Sequence, residues 1–430
     1  MARDLVLHIG MSKTGSTSIQ KVLSRQRPAM LAQGFYYPES PGYELHGYLA
    51  FAATTDLRQL NPPDKPIWQG MSPVLRLRKF REEFAAEMAA IPANVKRIIV
   101  SDEKFSMMLL DRQSVQNLHD MLKPYADSFT VVLYLRRPDQ HFVSLYTQLL
   151  RRGDARRPDQ FDLEAIAKRD YDYAALVERW AEVFGAASLR LRLFERVPGQ
   201  KFDVVEDFLA ICELKLAALP EDRSRSANPS INLAGQIILQ RLGEKLVAGK
   251  RVAVQSPVWQ RLTAGASEAM PGRGWQMSRA QAEWFVACTA DQNDVVRRKW
   301  FPERISLFAD DFSELPEVEP SIDDGALLDA SLRLNISLAA ATVQLESRLA
   351  ESAARSAGRA GDPGKMVKAL SKRISKEPDN LAARVRLARM LLQGHDLAAA
   401  RRHIDAVLQS NARHPAATEL DKEIRRRSQI

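Results

Sequence analysis

The feature that most constrains this chain is a short apolar run near its N-terminus that breaks into a loop of glycines and hydroxyl residues. Residues 5–9 predict a buried strand, residues 10–18 (Gly-Met-Ser-Lys-Thr-Gly-Ser-Thr-Ser) follow it, and a helical pattern with Ile19, Val22 and Leu23 comes next. This order of elements directs backbone N–H groups and the positive end of a helix dipole at one point. We therefore predict an anion-binding turn in an α/β fold.

The position of the lysine indicates which phosphate compound the loop suits. Nucleotide kinases and triphosphatases use G-x-x-x-x-G-K-[ST], in which the lysine follows the second glycine and the hydroxyl residue binds Mg²⁺. Here Gly10 and Gly15 keep the spacing, but Lys13 lies between them and Ser16 stands where that lysine would be. The sequence therefore disfavours a magnesium-bound nucleoside triphosphate.

A second apolar run also ends in residues suited to phosphate. Residues 130–135 are continuously apolar, β-branched or aromatic, which is typical of a buried parallel strand. Arg136 follows at its predicted carboxyl end, Pro138 suits the first turn of a helix, and Ser144 lies within that helix. Arginine supplies a forked, permanent charge and serine a hydroxyl donor, so both groups can bind phosphate.

Together the two segments resemble the sulfotransferases that use 3′-phosphoadenosine 5′-phosphosulfate. Residues 13–17 (Lys-Thr-Gly-Ser-Thr) are similar to their 5′-phosphosulfate loop, and Arg136, Pro138 and Ser144 match their Arg-x-Pro-x₅-Ser pattern for the 3′-phosphate. A weaker likeness extends over residues 3–310. The resemblance implies a three-layer α/β domain of the P-loop type with a central parallel sheet, followed here by an all-α helical hairpin.

The resemblance also implies an activity and a set of binding residues. The reaction is the transfer of the sulfuryl group to an acceptor hydroxyl or amine, achieved by positioning and charge stabilisation without a metal. Lys13 is expected to neutralise charge on the oxygen that leaves the sulfuryl group. The residues expected to bind the donor are Ser12, Lys13, Thr14, Gly15, Ser16, Thr17, Ser18, Arg136 and Ser144.

Two residues are candidates for the base that takes the acceptor's proton. His46 lies in a loop-like segment at 43–48, where several carbohydrate sulfotransferases keep a catalytic histidine, and imidazole titrates near neutral pH. Glu103 follows a third predicted strand at 98–101, at the end where open α/β sheets bind ligands. The sequence leaves this choice open, and it predicts a structural role for His141.

The acceptor is expected to be a hydroxyl of a carbohydrate or other glycan, since the resemblance is to carbohydrate-directed sulfotransferases. Aromatic residues able to stack on sugar rings are Tyr43, Trp68, Trp259 and Trp275. Two other functions stay open. One is a nucleotide kinase or triphosphatase, for which the segment Ser101-Asp102-Glu103 is the candidate for binding magnesium, and the other is a non-catalytic helical-repeat binding protein with a degenerate pocket.

The net charge of +9 is concentrated in the last part of the chain. Residues 365–430 hold 15 Lys and Arg against 7 Asp and Glu, whereas the preceding residues hold 47 against 46. Helices are predicted at 381–393 and 397–410, and Pro378 and Pro415 are 37 residues apart, near the 34-residue period of tetratricopeptide repeats. We expect this tail to bind a protein partner or an anionic polymer, and we expect no specific nucleic-acid binding.

These patterns divide the chain into successive segments. We expect a sulfotransferase-like domain at 1–320, a long helix at 321–350, a linker at 351–364 and a tetratricopeptide-like tail at 365–430. The phosphate loop begins close to Met1, and no signal segment or membrane-spanning run is recognised in the sequence. A cytoplasmic protein without a membrane span is therefore expected.

Overall fold

The structure of the chain is a computed structural model that describes most of its residues. The described residues are 3–56, 58, 70–195, 202–216, 230–249, 252–253, 256–359, 363–394, 396–412 and 414–428. They form two compact units, Met1–Ser331 and Leu332–Ile430.

The first unit is built on a five-stranded parallel sheet in the order β2-β3-β1-β4-β5. Leu7 of β1 lies opposite Val100 of β3 and Val131 of β4, which fixes the register of the three central strands. The strands are β1 Asp4–His8, β2 Phe35–Tyr36, β3 Arg97–Ser101, β4 Ser128–Leu135 and β5 Leu189–Leu193. The predicted α/β class is confirmed.

Helices connect these strands, as parallel pairing requires. In chain order they are α1 Ser16–Arg25, α2 Arg27–Ala32, α3 Gly47–Ala53, α4 Pro73–Ala89, α5 Lys104–Met108, α6 Arg112–Leu122, α7 Pro138–Arg151, α8 Leu163–Asp170, α9 Tyr173–Phe184, α10 Val204–Ile211, α11 Leu233–Leu242, α12 Pro257–Ala269, α13 Arg279–Ala287 and α14 Ala290–Trp300. A π-helical turn, Gly243–Ala248, continues α11.

The sheet is buried on both faces because its apolar side chains alternate between two cores. Leu5 and Leu7 of β1 point into the larger core, which also contains residues of α3, α4, α6, α7 and α9. Val6 of the same strand points into a smaller core with Ile19 of α1 and Phe208 of α10. The domain therefore has three layers.

The connections of the sheet leave a crevice at the carboxyl ends of β1 and β4. After β1 the chain passes to β2, at one edge of the sheet. After β4 it passes to β5, at the opposite edge. Adjacent strands whose following connections run in opposite directions create the place where open α/β sheets bind ligands. Both predicted phosphate segments begin here, at Gly10 after β1 and Arg136 after β4.

The second unit is helical, as expected for the tail. It contains α16 Pro363–Lys376, α17 Leu381–Gln393, α18 Leu397–Ser410 and α19 Pro415–Arg427. Two of these helices have the predicted bounds, because Asn380 and Asp396 cap their first turns through side-chain hydrogen bonds to backbone N–H groups. Buried side chains of α17, α18 and α19, including Ala388, Ile404 and Ile424, form a core within the unit.

A long helix, α15 Asp324–Arg359, precedes the tail and differs from the expected segment. Residues 351–359 are helical rather than part of a linker, since alanine and arginine favour a helix. Residues 360–362 of that predicted linker lie outside the described residues. The part Asp324–Gln344 is also long and apolar enough, by length and composition, to cross a membrane, a property that the sequence prediction missed.

Candidate active site

The phosphate loop takes a backbone path that requires glycine at two positions. Gly10 has φ 103° and Gly15 has φ 85°, both in the region that side chains disfavour. A Cβ atom at Gly15 would lie 2.5 Å from Cγ1 of Val204, and one at Gly10 would lie 3.1 Å from Cα of Glu103. The loop is thus packed between α10 and the start of α5, and its two glycines permit this close approach.

Two of the predicted donor-binding hydroxyls brace the loop internally. The Thr14 hydroxyl donates to the Met11 carbonyl at 2.7 Å, and the Ser16 hydroxyl donates to the same oxygen at 3.0 Å. Both side chains are buried, and a hydroxyl has one hydrogen to donate. In this arrangement Thr14 and Ser16 hold the turn, whereas the Thr17 side chain is exposed and that of Ser18 is half-buried.

The two predicted phosphate segments are joined by a hydrogen bond. Arg136 donates from Nη1 to the Lys13 carbonyl at 2.8 Å, and its guanidinium lies 5.4 Å from the ring centre of Phe194. The Tyr173 hydroxyl donates to the Arg136 carbonyl at 2.6 Å, which fixes the backbone at the end of β4. Ser144 is half-buried about two turns into α7.

Positive charge is concentrated around the Lys13 ammonium. Burial lowers the pKa of Lys13, and the charges of Arg151, Arg136 and Arg152 lower it further, whereas Glu103 acts in the opposite direction. The loop therefore lies in an electrostatic field that favours an anion.

Arg151 and Arg152 were missed as site residues at the sequence level. A signal for Arg151 was present, because residues seven apart on a helix share a face, and Arg151 lies seven residues after Ser144. In the structure, Arg151 donates from Nη2 to the Ser267 hydroxyl of α12 at 3.0 Å. Helix α7 thus begins beside the phosphate loop and ends in arginines that act on the same lysine.

Glu103 supplies a carboxylate beside the loop. It precedes α5 at the carboxyl end of β3, and its side chain is half-buried. Its Oε2 accepts a hydrogen bond from Nε2 of Gln20 at 3.2 Å. Its charge acts on Lys13, and its Cα lies where a Cβ atom on Gly10 would approach to 3.1 Å, so the predicted base candidate lies next to the predicted donor site.

Asp102, the neighbouring residue, is buried in an internal ion pair. Its Oδ1 accepts from the backbone N–H of Lys104 at 2.8 Å and lies 3.5 Å from the Lys104 Nζ. Burial raises the pKa of Asp102 to about 6. Among the residues that the structure describes, no group of three or more His, Cys, Asp or Glu residues is arranged to hold a metal ion.

His46 occupies a structural position rather than that of an accessible base. The ring is fully buried, and Nε2 donates to the Pro38 carbonyl at 3.0 Å while Nδ1 accepts from the Ser101 backbone N–H at 3.2 Å. Burial lowers the pKa of His46 to about 3. Both ring nitrogens are hydrogen-bonded to the backbone, so His46 attaches its loop to β3. Neither nitrogen is then available to take a proton from an acceptor substrate.

The aromatic residues expected to stack on sugars have different environments. Trp259 is buried and donates from its indole nitrogen to the Arg151 carbonyl at 2.7 Å. Trp275 is also buried, whereas Tyr43 is 63% exposed. Trp68 lies outside the described residues. The two buried tryptophans therefore support the protein interior, and of the described members of this set Tyr43 presents its ring to solvent.

Comparison with known proteins gives two partial likenesses. No family model matches the chain. An uncharacterized protein of Archaeoglobus fulgidus is 27% identical over 118 residues, which is 27% of this chain and 31% of that protein. A crystal structure of a sulfotransferase from Alicyclobacillus acidocaldarius covers 60% of this chain and 100% of its own, with a TM-score of 0.33 and 19% identity. The chain thus matches less than a third of the archaeal protein's length.

Replacing Gly15 by alanine is expected to lower the free energy of unfolding. The positive φ alone costs about 1–2 kcal/mol for a residue with a Cβ, and the new methyl group would also collide with Val204. Gly70→Ala is a matched control, since Gly70 has φ 81° but open space around its Cβ position. Urea unfolding of both variants should show the larger loss for Gly15→Ala, and equal losses would contradict the close packing of the loop.

Proposed function

We propose that the protein is a sulfotransferase that uses 3′-phosphoadenosine 5′-phosphosulfate as its donor. The observation that carries this proposal is the hydrogen bond from Arg136 to the Lys13 carbonyl, which joins the two phosphate segments at the β1/β4 crevice. A donor with a 5′-phosphosulfate and a separate 3′-phosphate requires two anion sites at a fixed spacing. We assign one such site to the loop and the other to Arg136 with Ser144.

The charge of the site agrees with this donor. Arg136, Arg151 and Arg152 all act on the Lys13 ammonium as like charges, and the carboxylate of Glu103 acts on it in the opposite direction. The N–H groups of Ser16 and Thr17 belong to the first turn of α1, where they have no acceptor within the helix. These groups suit the 5′-phosphosulfate, and Arg136 with Ser144 suits the 3′-phosphate.

Glu103 is the better candidate for the base, because His46 is fully engaged with backbone groups. In the proposed step the acceptor oxygen forms a bond to sulfur, and its proton passes to the Glu103 carboxylate. The bond between sulfur and the bridging oxygen breaks, and that oxygen remains on the nucleotide as a 5′-phosphate oxygen. Lys13 stabilises the charge that develops there.

The proposed acceptor is a hydroxyl of a carbohydrate or glycan. Tyr43 supports this acceptor class, since it presents an exposed aromatic ring in the segment that leads to His46. We further propose that the basic helical tail recruits a protein partner or an anionic polymer, supported by its surplus of Lys and Arg.

A thermal-shift experiment with different nucleotides tests the proposed donor. Stabilisation by adenosine 3′,5′-bisphosphate in the absence of Mg²⁺ is the expected result, because a ligand that binds the native state raises the unfolding temperature. Stabilisation by ATP with Mg²⁺ instead would indicate a kinase or triphosphatase. Stabilisation by neither nucleotide would indicate a non-catalytic protein.

Replacing Glu103 by glutamine should separate catalysis from donor binding. The amide keeps the size of the side chain but cannot accept a proton, so we expect sulfuryl transfer to fall about 10²- to 10⁴-fold. The affinity for the bisphosphate should stay within about threefold, since the lost charge repels rather than binds phosphate. Glu39→Gln, at an exposed carboxylate, is the control. Full transfer activity in Glu103→Gln would remove Glu103 from the mechanism.

A further inference from the structure

The carbonyl groups of the phosphate loop are held by side chains. The Met11 carbonyl accepts from two loop hydroxyls, the Ser12 carbonyl accepts from Nε2 of His141 at 2.9 Å, and the Lys13 carbonyl accepts from Arg136 at 2.8 Å. A carbonyl oxygen carries partial negative charge and repels an anion, whereas a backbone N–H attracts it. Each of these hydrogen bonds thus fixes the orientation of a carbonyl group that would repel an anion. The bond to the Ser12 carbonyl comes from His141, which is outside the predicted donor-binding set.

The chemistry of these bonds determines which nitrogen of His141 carries hydrogen. A carbonyl can only accept, so Nε2 must carry the hydrogen that is donated to Ser12. Nδ1 is then an acceptor, and the Tyr171 hydroxyl donates to it at 2.9 Å. His141 and Tyr171 are both buried, so the ring is held in one orientation and one tautomer.

His141 also connects the two anion sites through one helix. It lies in the first turns of α7, three residues before Ser144, and residues at this spacing are neighbours on a helix surface. The same helix therefore contacts the 5′ loop through His141 and contains Ser144, the residue proposed to bind the 3′-phosphate. One helix thus links the two proposed sites, in addition to the loop.

We propose that His141 is a positioning residue that holds the Ser12 carbonyl away from the 5′-phosphate, with Tyr171 fixing its ring. This inference rests on the proposed function, since it requires an anion in the loop. It predicts that His141 affects the binding of a 5′-phosphate but not that of a 3′-phosphate, a distinction that a purely structural role for the buried ring does not produce.

Calorimetry with three nucleotides and three variants tests this role. His141→Phe keeps the ring volume but loses both hydrogen bonds, so its affinity for adenosine 3′,5′-bisphosphate and adenosine 5′-monophosphate should fall about fivefold to tenfold. Its affinity for adenosine 3′-monophosphate should stay within about twofold. His141→Gln, whose amide can donate to Ser12 and accept from Tyr171, should recover most of the loss. Tyr171→Phe should lose less affinity, again for the nucleotides with a 5′-phosphate and not for adenosine 3′-monophosphate. This variant tests the proposal if His141→Phe does not fold.

The outcomes separate this inference from the proposed donor. A wild-type protein that binds the bisphosphate, with His141 and Tyr171 variants that bind all three nucleotides equally well, overturns the role of His141 alone. Equal losses for the 3′- and 5′-monophosphates also overturn it, because they indicate general damage to α7. A wild-type protein that binds none of the three nucleotides overturns the proposed donor and the role of His141 together.

Discussion

Replacing Lys13 by methionine should reduce sulfuryl transfer by at least about 10²- to 10³-fold, the loss typical of removing a charge-stabilising group from a transition state. Methionine keeps the unbranched shape of the side chain, is one atom shorter and has no charge. The Lys13 carbonyl bond to Arg136 involves only backbone on the lysine side, so the loop should keep its path. The rate is measured as the radiolabelled sulfate that leaves the donor. This assay works with any acceptor, including water.

The binding of product should change much less than the rate in this variant. The proposed charge on the leaving oxygen is greatest in the transition state, while N–H groups and arginines still hold the nucleotide, so the bisphosphate affinity should fall by no more than about tenfold. Lys21→Met, in the second turn of α1, is the control and should retain full activity. Normal transfer by Lys13→Met would exclude Lys13 from the chemistry.

The sequence predicted those elements of the fold for which one pattern, such as a continuous apolar run or a helix cap, was dominant. The strands at 98–101 and 130–135 were placed within a few residues of β3 and β4, because buried parallel strands are continuously apolar. The tail helices at 381–393 and 397–410 were placed correctly, since Asn380 and Asp396 provide clear starts. The end of α15 was missed because alanine, serine and glycine occur in both linkers and helices.

The sequence predicted the candidate site only in part, because the type of a residue does not show which groups its side chain contacts. His46 looked suitable as a base, but its ring nitrogens bind Pro38 and Ser101, contacts that depend on the packing of its loop against β3. His141 was predicted to be structural, yet it contacts the phosphate loop across 129 residues of sequence. Arg151 joins the site because α7 runs past Lys13, which requires the three-dimensional course of the helix.

Arg136 combines a proposed role in donor binding with an observed role in holding the phosphate loop. Arg136 is proposed to bind the 3′-phosphate, and it already donates to the Lys13 carbonyl in the 5′ loop. Binding of a phosphate to Arg136 is therefore expected to affect the orientation of the Lys13 carbonyl in the 5′ loop. In contrast, within the part of the chain that the structure describes, the ring nitrogens of His141 contact the Ser12 carbonyl, the Tyr171 hydroxyl and, at 3.3 Å, the Ser12 hydroxyl.

Replacing Arg136 by glutamine should weaken bisphosphate binding about 10- to 100-fold, since a hydrogen bond between charged groups contributes about 1.5–3 kcal/mol. Adenosine 3′-monophosphate should lose a similar factor. Adenosine 5′-monophosphate should lose less, because Arg136 supports the 5′ site through its bond to the Lys13 carbonyl rather than through a proposed bond to the phosphate. Calorimetry with the three nucleotides measures these differences directly.

Two further variants define what the Arg136 result means. Arg190→Gln removes an exposed arginine of β5, so it should bind all three nucleotides as the wild type does. Ser144→Ala should reproduce the Arg136 pattern more weakly, with a loss of about threefold to tenfold confined to nucleotides that carry a 3′-phosphate. If Arg136→Gln bound the bisphosphate as tightly as the wild type, the 3′-phosphate would have to lie elsewhere, and the match to the Arg-x-Pro-x₅-Ser pattern would have no functional meaning in this chain.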